Sequence, residues 1–342
     1  MRWKKEKKRR AALGGLLLAL CLLLAPAAAG AQVRISFAGD CTLGTNRGLE
    51  GRAEHFVKRI GEAGFDWPFL AVRDIFGADD LTLVNLENAF TTGRQGADKR
   101  CVFSAPPAYA EILPLGNIEA VNTANNHSHD YGVAGYEDTL RALDAQGIVY
   151  CGTKRPAYVE VGGELRVALL SRAAPKLDGL SGLLGEIKQA KKDGCDLVIV
   201  SLHWGIEYEK EQNIEQKRIA HKLARGGADV IVGHHPHILQ GIEIYEGVPI
   251  FYSLGNFCFG GNINPPDWDT MIAQITAEKT EEGARLTSIK LIPCRISDAT
   301  GDEQDFQPVP VRGARAEAIL KKVARYSKDV PEELFEAGET ML

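Results

Sequence analysis

Short apolar, β-branched stretches alternate along this chain with stretches in which apolar residues recur at helical spacing. "VRISFAGD" (33–40), "LTLVNLEN" (81–88), "IEAVNTANNH" (118–127), "CDLVIVSLHWG" (195–205) and "ADVIVGHHPH" (228–237) read as strands. "FVKRIGEAG" (56–64), "LAVRDIFGADD" (70–80), "PPAYAEILPLG" (106–116), "GVAGYEDTLRALDAQG" (132–147), "GLLGEIKQAKKDG" (182–194) and "EQKRIAHKLARGG" (215–227) read as helices, several of them stopped by glycine. "VYCG", "AYVEV" and "RVALLS" add strands within 149–171. "ILQGIEIYEGVPIFYSLGNF" (238–257) predicts two more around a Glu246-Gly247 turn. "TMIAQITAE" and "ARLTSIKLIPCRI" predict an antiparallel pair, and "GARAEAILKKVARYS" (313–327) a last helix. This alternation predicts an α/β fold. With no linker and no internal repeat, residues 32–342 are expected to form one domain.

Five of the strands end in a polar cluster, and in α/β folds the loops beyond the carboxyl ends of strands gather into one site. The groups that would meet there are Asp40, Glu87, Asn126, His127, His203, His235 and His237. Carboxylates, an amide oxygen and imidazoles are the donor set of a divalent transition metal. An H-x-H at a strand end brings two rings near one point with different aims. Such a pair can serve two ions roughly 3.5–4 Å apart, with a carboxylate such as Glu87 between them. Bland alternatives stand beside this reading. Asp40 could cap a turn, Glu87 could be a surface acid, and Asn126 and His127 could shape a turn. His203 could be a satisfied core histidine. His129 and Asp130 are candidates for orienting His127, with a solvated loop as the alternative. Asn256 is expected to brace its loop, His234 to stand outside the ligand set, and His55 and His221 to be solvated.

The first 31 residues differ in kind. "MRWKKEKKRR" carries seven basic residues and one acidic, and an uncharged apolar run follows, ending in Ala29-Gly30-Ala31. That is the pattern of an export signal cleaved before Gln32, with a retained membrane anchor as the rival. Cys21 raises a lipoprotein reading, which Leu20 before it disfavours. On each reading the folded part is extracytoplasmic, secreted or anchored to the membrane. The chain carries a formal charge of −5; without its first ten residues 33 basic and 44 acidic side chains remain, a balance of −11. So acidic a domain does not suit nucleic acid. The six cysteines beyond Cys21 are scattered without a CxxC pair, and are expected to be mostly buried small hydrophobes.

Six stretches, "FAGDCTLG" (37–44), "VNLENAFT" (84–91), "ANNHSHDYG" (124–132), "SLHWGIEY" (201–208), "GHHPHILQG" (233–241) and "YSLGNF" (252–257), together resemble the calcineurin-like metallophosphatase superfamily. Within it they are most similar to the CapA-type poly-γ-glutamate capsule synthesis proteins. The resemblance spans roughly residues 33–295. It implies a four-layer α-β-β-α sandwich. It implies that Asp40, Asn126, His203, His235 and His237 hold one or two divalent ions (manganese, iron or zinc), that Glu87 bridges them, and that His127 donates a proton to the leaving group. The wider superfamily opens with D-x-H, whereas this chain has Asp40-Cys41-Thr42, so one position loses an imidazole. Four functions follow as expectations. The first is an exported protein in synthesis or export of an anionic polymer, acting on the polymer or a phosphorylated substrate, with membrane synthase partners. The others are an extracytoplasmic metallophosphoesterase, a γ-glutamyl amide hydrolase, and a non-enzymatic envelope protein.

Overall fold

The computed structural model describes residues 32–49, 52, 55–299 and 304–342. The expected leader or anchor, residues 1–31, lies outside them. Two sheets face each other. In the larger, β1 (Gln32–Thr42) lies parallel to β2 (Leu81–Leu86), which is followed by β3 (Ala120–Asn122) and β4 (Val149–Cys151). In the smaller, β5 (Ala157–Val161), β6 (Leu165–Ala173), β7 (Leu197–His203) and β8 (Val230–His234) adjoin the hairpin β9 (Ile242–Tyr245) and β10 (Val248–Phe251). Back on the larger sheet, β11 (Asn256–Phe259) pairs with the end of β1, and the antiparallel pair β12 (Asp269–Thr280) and β13 (Gly283–Arg295) extends its other edge.

Strand periodicity explains the layers. Successive side chains face opposite sides, so a strand covered on both faces must be apolar throughout. In β7, Leu197 and Ile199 enter the cluster between the sheets with Val33, Ile35, Phe37, Leu81 and Leu83. Val198, Val200 and Leu202 enter a second cluster beyond the smaller sheet. There they meet Leu183 and Ile187 of one helix (Ser181–Lys192) and Ile219 and Leu223 of another (Ile214–Arg225). Beyond the larger sheet, Val84, Leu86 and Val121 meet Phe56 and Ile60 of the helix Phe56–Ala63 and Leu140 and Leu143 of the helix Gly132–Ala145. Helix, sheet, sheet, helix is the expected sandwich. Each fully buried Leu, Ile or Phe in these clusters contributes about 1.5–3 kcal/mol of burial, and none of the three clusters could be exposed without loss.

Two predicted elements are shorter than their patterns suggested. The stretch 70–80 forms only one α-turn, Arg73–Phe76, after a 3-10 turn at Trp67–Phe69. Phe69, Val72 and Phe76 are nevertheless buried, so the apolar spacing reported packing and not helix length. The stretch 118–127 pairs only at Ala120–Asn122, because Asn122 Oδ1 accepts the N–H of Ala124 at 2.7 Å and bends the chain out of the ladder. The hairpin is as expected, with Glu246 and Gly247 both at positive φ.

Candidate metal centre

All five polar strand ends open at the same end of the sandwich, and the backbone is shaped to aim them. In β1 the register against β2 shifts between Phe37 and Asp40. Ala38 and Cys41, three residues apart, therefore both point to the outer cluster, while Asp40 turns toward the smaller sheet. A β-bulge re-aims a side chain in just this way. Gly39 permits it, since a Cβ there would sit 2.0 Å from the carbonyl oxygen of Gly255. At the facing strand end, a Cβ on Gly233 would sit 2.1 Å from the carbonyl oxygen of Tyr252. His235 and His237 follow at φ of 98° and 59°, a region that side chains other than glycine rarely occupy. Backbone strain of this kind is held only where its surroundings enforce it.

The donor atoms of Asp40, Glu87 and His237 lie within 4.8 Å of one another, and so do those of Glu87, His203 and His235. Glu87 belongs to both groups. Its Oε1 is buried without a hydrogen-bond partner, 3.6 Å from Nε2 of His203 and 3.9 Å from Nε2 of His237. His203 Nε2 and His235 Nδ1 are likewise buried and unpartnered. An orphaned buried polar atom costs about 1–3 kcal/mol; three facing one space fit a divalent ion that would satisfy them together. Asn126 stands at the rim. Its side chain is exposed and lines a cleft of about 280 Å³ with His203, His235 and Lys176.

Electrostatics follow the same geometry. Burial opposes ionisation of Asp40, but its contacts with His234 and His237 outweigh this and hold the carboxyl well below its usual range. Burial drives Glu87 well above its range. His203 and His235 are pushed down, by burial first. His237 is lifted to about 9, because Glu87 and Asp40 overcome its burial. The unprotonated imidazoles of His203 and His235 suit metal ligation, whereas His237 would release its proton on binding an ion.

The ring of His127 is fixed in orientation. Its Nδ1 lies 2.7 Å from Asp130, its ring stacks on Phe103 with centroids 4.0 Å apart, and its Nε2 lies 3.9 Å from Glu87 Oε1. Asp130 is itself fixed by Lys99 at 2.5 Å and by the N–H of Phe103 at 2.7 Å. Of the two candidates for orienting His127, Asp130 does so, while His129 is exposed and packs on Tyr136. Asn256 braces His237, with Oδ1 3.0 Å from Nδ1. His234 lies 3.4 Å from Asp40, outside both groups. His221 departs from the solvated reading: Nε2 lies 3.0 Å from the buried Glu243 and the ring stacks on Tyr245. His55 caps the helix Phe56–Ala63 by accepting the N–H of Lys58. Thr42 offers no imidazole and donates to the carbonyl of Glu87 at 3.2 Å. Five of the six cysteines in the described residues are buried.

Sequence reasoning missed two residues. Asn85 is fully buried and donates to Asp40 at 2.8 Å and to Glu87 at 3.4 Å, while its Oδ1 accepts from Asn122 and Asn125. Its spacing of two from Glu87 on a strand was the available signal. The other is Glu207, whose carboxylate lies within 4.8 Å of donor atoms on both His235 and His237. It sits four residues after His203 in a loop whose fold the sequence does not reveal.

The family of bacterial capsule synthesis proteins, PGA_cap, matches residues 34–261. The chain belongs to this family. The PGA biosynthesis protein CapA of Bacillus subtilis is 31% identical over 85% of this chain and 78% of its own length. The capsule biosynthesis protein CapA of Bacillus anthracis is 30% identical over 67% of this chain and 60% of its own. Among solved structures, the calcineurin-like phosphoesterase YfkN of Bacillus subtilis aligns with 87% of this chain and 99% of its own at 14% identity, with a TM-score of 0.48. All six stretches that carried the resemblance begin within the matched region.

Proposed function

We propose that this chain is an exported, metal-dependent hydrolase serving the synthesis or export of a poly-γ-glutamate capsule, acting on the polymer or on a phosphorylated intermediate. The observation that carries the chemistry is Glu87 Oε1, unpartnered and shared between two ligand groups. The relatives named for PGA and capsule biosynthesis support the polymer. Asp40, Glu87, His203, His235 and His237 would hold the ions, which would supply Lewis-acid chemistry toward a phosphoryl or carbonyl oxygen. The chain supplies the rest. Asp130 holds Nδ1 of His127, leaving Nε2 to pass a proton to the departing atom. His127, His237 and the exposed Arg100 line a cleft of about 360 Å³. In so acidic a protein, Arg100 provides the local positive charge that a carboxylate or phosphate needs to enter. The export pattern in residues 1–31 supports an extracytoplasmic location, while no helix among the described residues is long and apolar enough to cross a membrane.

The test is divalent-metal analysis of the full chain and of His235→Ala, with hydrolysis of a chromogenic phosphodiester and shortening of poly-γ-glutamate followed with added Mn²⁺. The wild type is expected to hold metal, His235→Ala to lose it, and one of the two substrates to be cleaved by the wild type alone. Equal metal content in both proteins removes the site; metal without either activity removes the hydrolase.

A further inference from the structure

We infer that Glu207 is a solvent-side metal ligand, closing the site opposite Glu87 and standing in for the imidazole that Thr42 does not provide. The inference rests on the metal reading above and adds a residue to it.

Three donor groups interlock. Asp40, Glu87 and His237 form one; Glu87, His203 and His235 form the second; Glu207, His235 and His237 form the third. The third takes one histidine from each of the others. Glu87 thus links the two positions from the buried side, and Glu207 is the carboxylate that spans the same two histidines from the open side. The first position has three donors in Asp40, Glu87 and His237, and the Thr42 hydroxyl, fully buried and committed to the Glu87 carbonyl, adds none; Glu207 reaches this position through its approach to His237.

The loop carrying Glu207 is anchored at several points. The N–H of Tyr208 donates to the carbonyl of Pro236, between the two histidines, at 2.8 Å. Gln240 donates to the carbonyl of Glu209 at 2.8 Å and accepts from Gln216 at 2.9 Å. Gln212 donates to the carbonyl of Tyr326 at 2.7 Å. Gln212, Gln216 and Gln240 are all buried. Asn213 and Gln216 close the loop with reciprocal caps on the helix Ile214–Arg225. An exposed acid on so constrained a backbone is placed by the fold, and it is placed over the His235-Pro236-His237 turn.

The chemistry has a consequence. Exchanging an imidazole for a carboxylate makes the donor set harder, favouring Mn²⁺ over Zn²⁺ relative to a histidine-rich site. The test is titration of the full chain, stripped of metal, with Mn²⁺ and separately with Zn²⁺, by calorimetry and by Mn²⁺ electron paramagnetic resonance. Wild type is compared with Glu207→Gln at low salt and at 1 M KCl. Losing even a partner of a ligand costs roughly ten- to a hundredfold in affinity, so Glu207→Gln is expected to weaken Mn²⁺ at least about tenfold and Zn²⁺ less. The loss should persist at 1 M KCl, where the Debye length is about 3 Å and through-solvent attraction is screened. The Mn²⁺ spectrum should change as well. If the wild type binds Mn²⁺ and Glu207→Gln binds it equally well, or differs only at low salt with an unchanged spectrum, Glu207 is not a ligand and the metal site stands. If the wild type binds neither ion, the metal reading itself fails. Glu207 is exposed, so the variant should fold, and an unchanged apo melting temperature checks this.

Discussion

At the amino ends of the strands, Asp80 accepts the N–H of Arg34, Glu119 that of Thr82 and Asp196 that of Arg166, each at 2.8 Å, and Asp229 accepts that of Val198 at 2.6 Å. At the carboxyl ends, Asp40 meets Asn85, His234 and His237, while Glu87 keeps one oxygen with no partner at all. Both ends of the sandwich bury acids, and they use them in opposite ways. Acids at the first end satisfy backbone donors that strand starts leave free, and lysines such as Lys191 and Lys279 complete them. At the second end Glu87 Oε1 faces the imidazoles of His203 and His237 at 3.6 Å and 3.9 Å, a gap too wide for hydrogen bonds. Burial of an acid is therefore a poor sign of function by itself. The sign is an acid whose neighbours could all be satisfied by one more atom between them.

The sharpest way to break this contrast is a pair of substitutions, one at each end. Glu87→Gln keeps the shape and removes the charge shared by both ligand groups. Metal binding should fall more than a hundredfold, while the metal-free protein should be no less stable, since burial already disfavours the ionised acid. Asp229→Ala should do the reverse. Metal content should stay intact, and the buried N–H of Val198 left unpaired should cost about 1–3 kcal/mol in urea unfolding. If Asp229→Ala also lost metal, or Glu87→Gln unfolded the apo protein, the division of labour between the ends would be wrong.

How much of this was legible in sequence follows from the range of each interaction. The strand ends announced themselves because an apolar run closed by Asp, Glu or His is a local pattern. Strand order then brought Asp40, Glu87, His203, His235 and His237 together without any further clue. Asn85 was not legible, because its role depends on simultaneous contact with Asp40, Glu87 and two asparagines from a neighbouring segment. Glu207 was hidden for a similar reason: its loop is set by Gln240 and Tyr326, distant in sequence. The bulge that turns Asp40 inward leaves no mark beyond Gly39. His221 was misread because helical spacing among lysines and arginines says nothing of Glu243 and Tyr245 on the hairpin that it meets.

A second contrast lies within the carboxyl end, between the groups proposed to hold metal and the groups proposed to handle protons. Among the described residues, the Asp130 carboxylate bonds to His127, Lys99 and the N–H of Phe103. Asp130→Asn should leave metal content unchanged and lower turnover on whichever substrate is cleaved by about 10²- to 10⁴-fold, the range for general acid–base catalysis. His127→Asn should match it closely and the double variant should lose little more, because the two residues act as one unit. A multiplicative loss in the double variant would mean that Asp130 contributes by some route other than holding the imidazole.

The smallest expected effect tests the amino end alone. Asp79 differs from its neighbours there: it caps no strand N–H, accepting instead from the Thr82 hydroxyl at 2.9 Å, and its other oxygen is buried without a partner. Burial, against the nearby hydroxyls of Ser36 and Thr82 and with help from Glu119 and Asp80, pushes its carboxyl up to about 7. In an unfolded chain an aspartate titrates near 3.9. The folded state therefore binds this proton more tightly. Its contribution to stability is complete below about pH 4, declines as the pH rises, and is gone above about 7. Asp79→Asn keeps a neutral acceptor for Thr82 and removes the cost of ionising a buried acid. The variant should gain on the wild type as pH rises from 4 to 8, reaching on the order of 1 kcal/mol once solvent screening is allowed for. Urea unfolding at both pH values measures it. A variant that loses ground over that interval would show Asp79 to be ionised and partnered, and the amino end to be uniform after all.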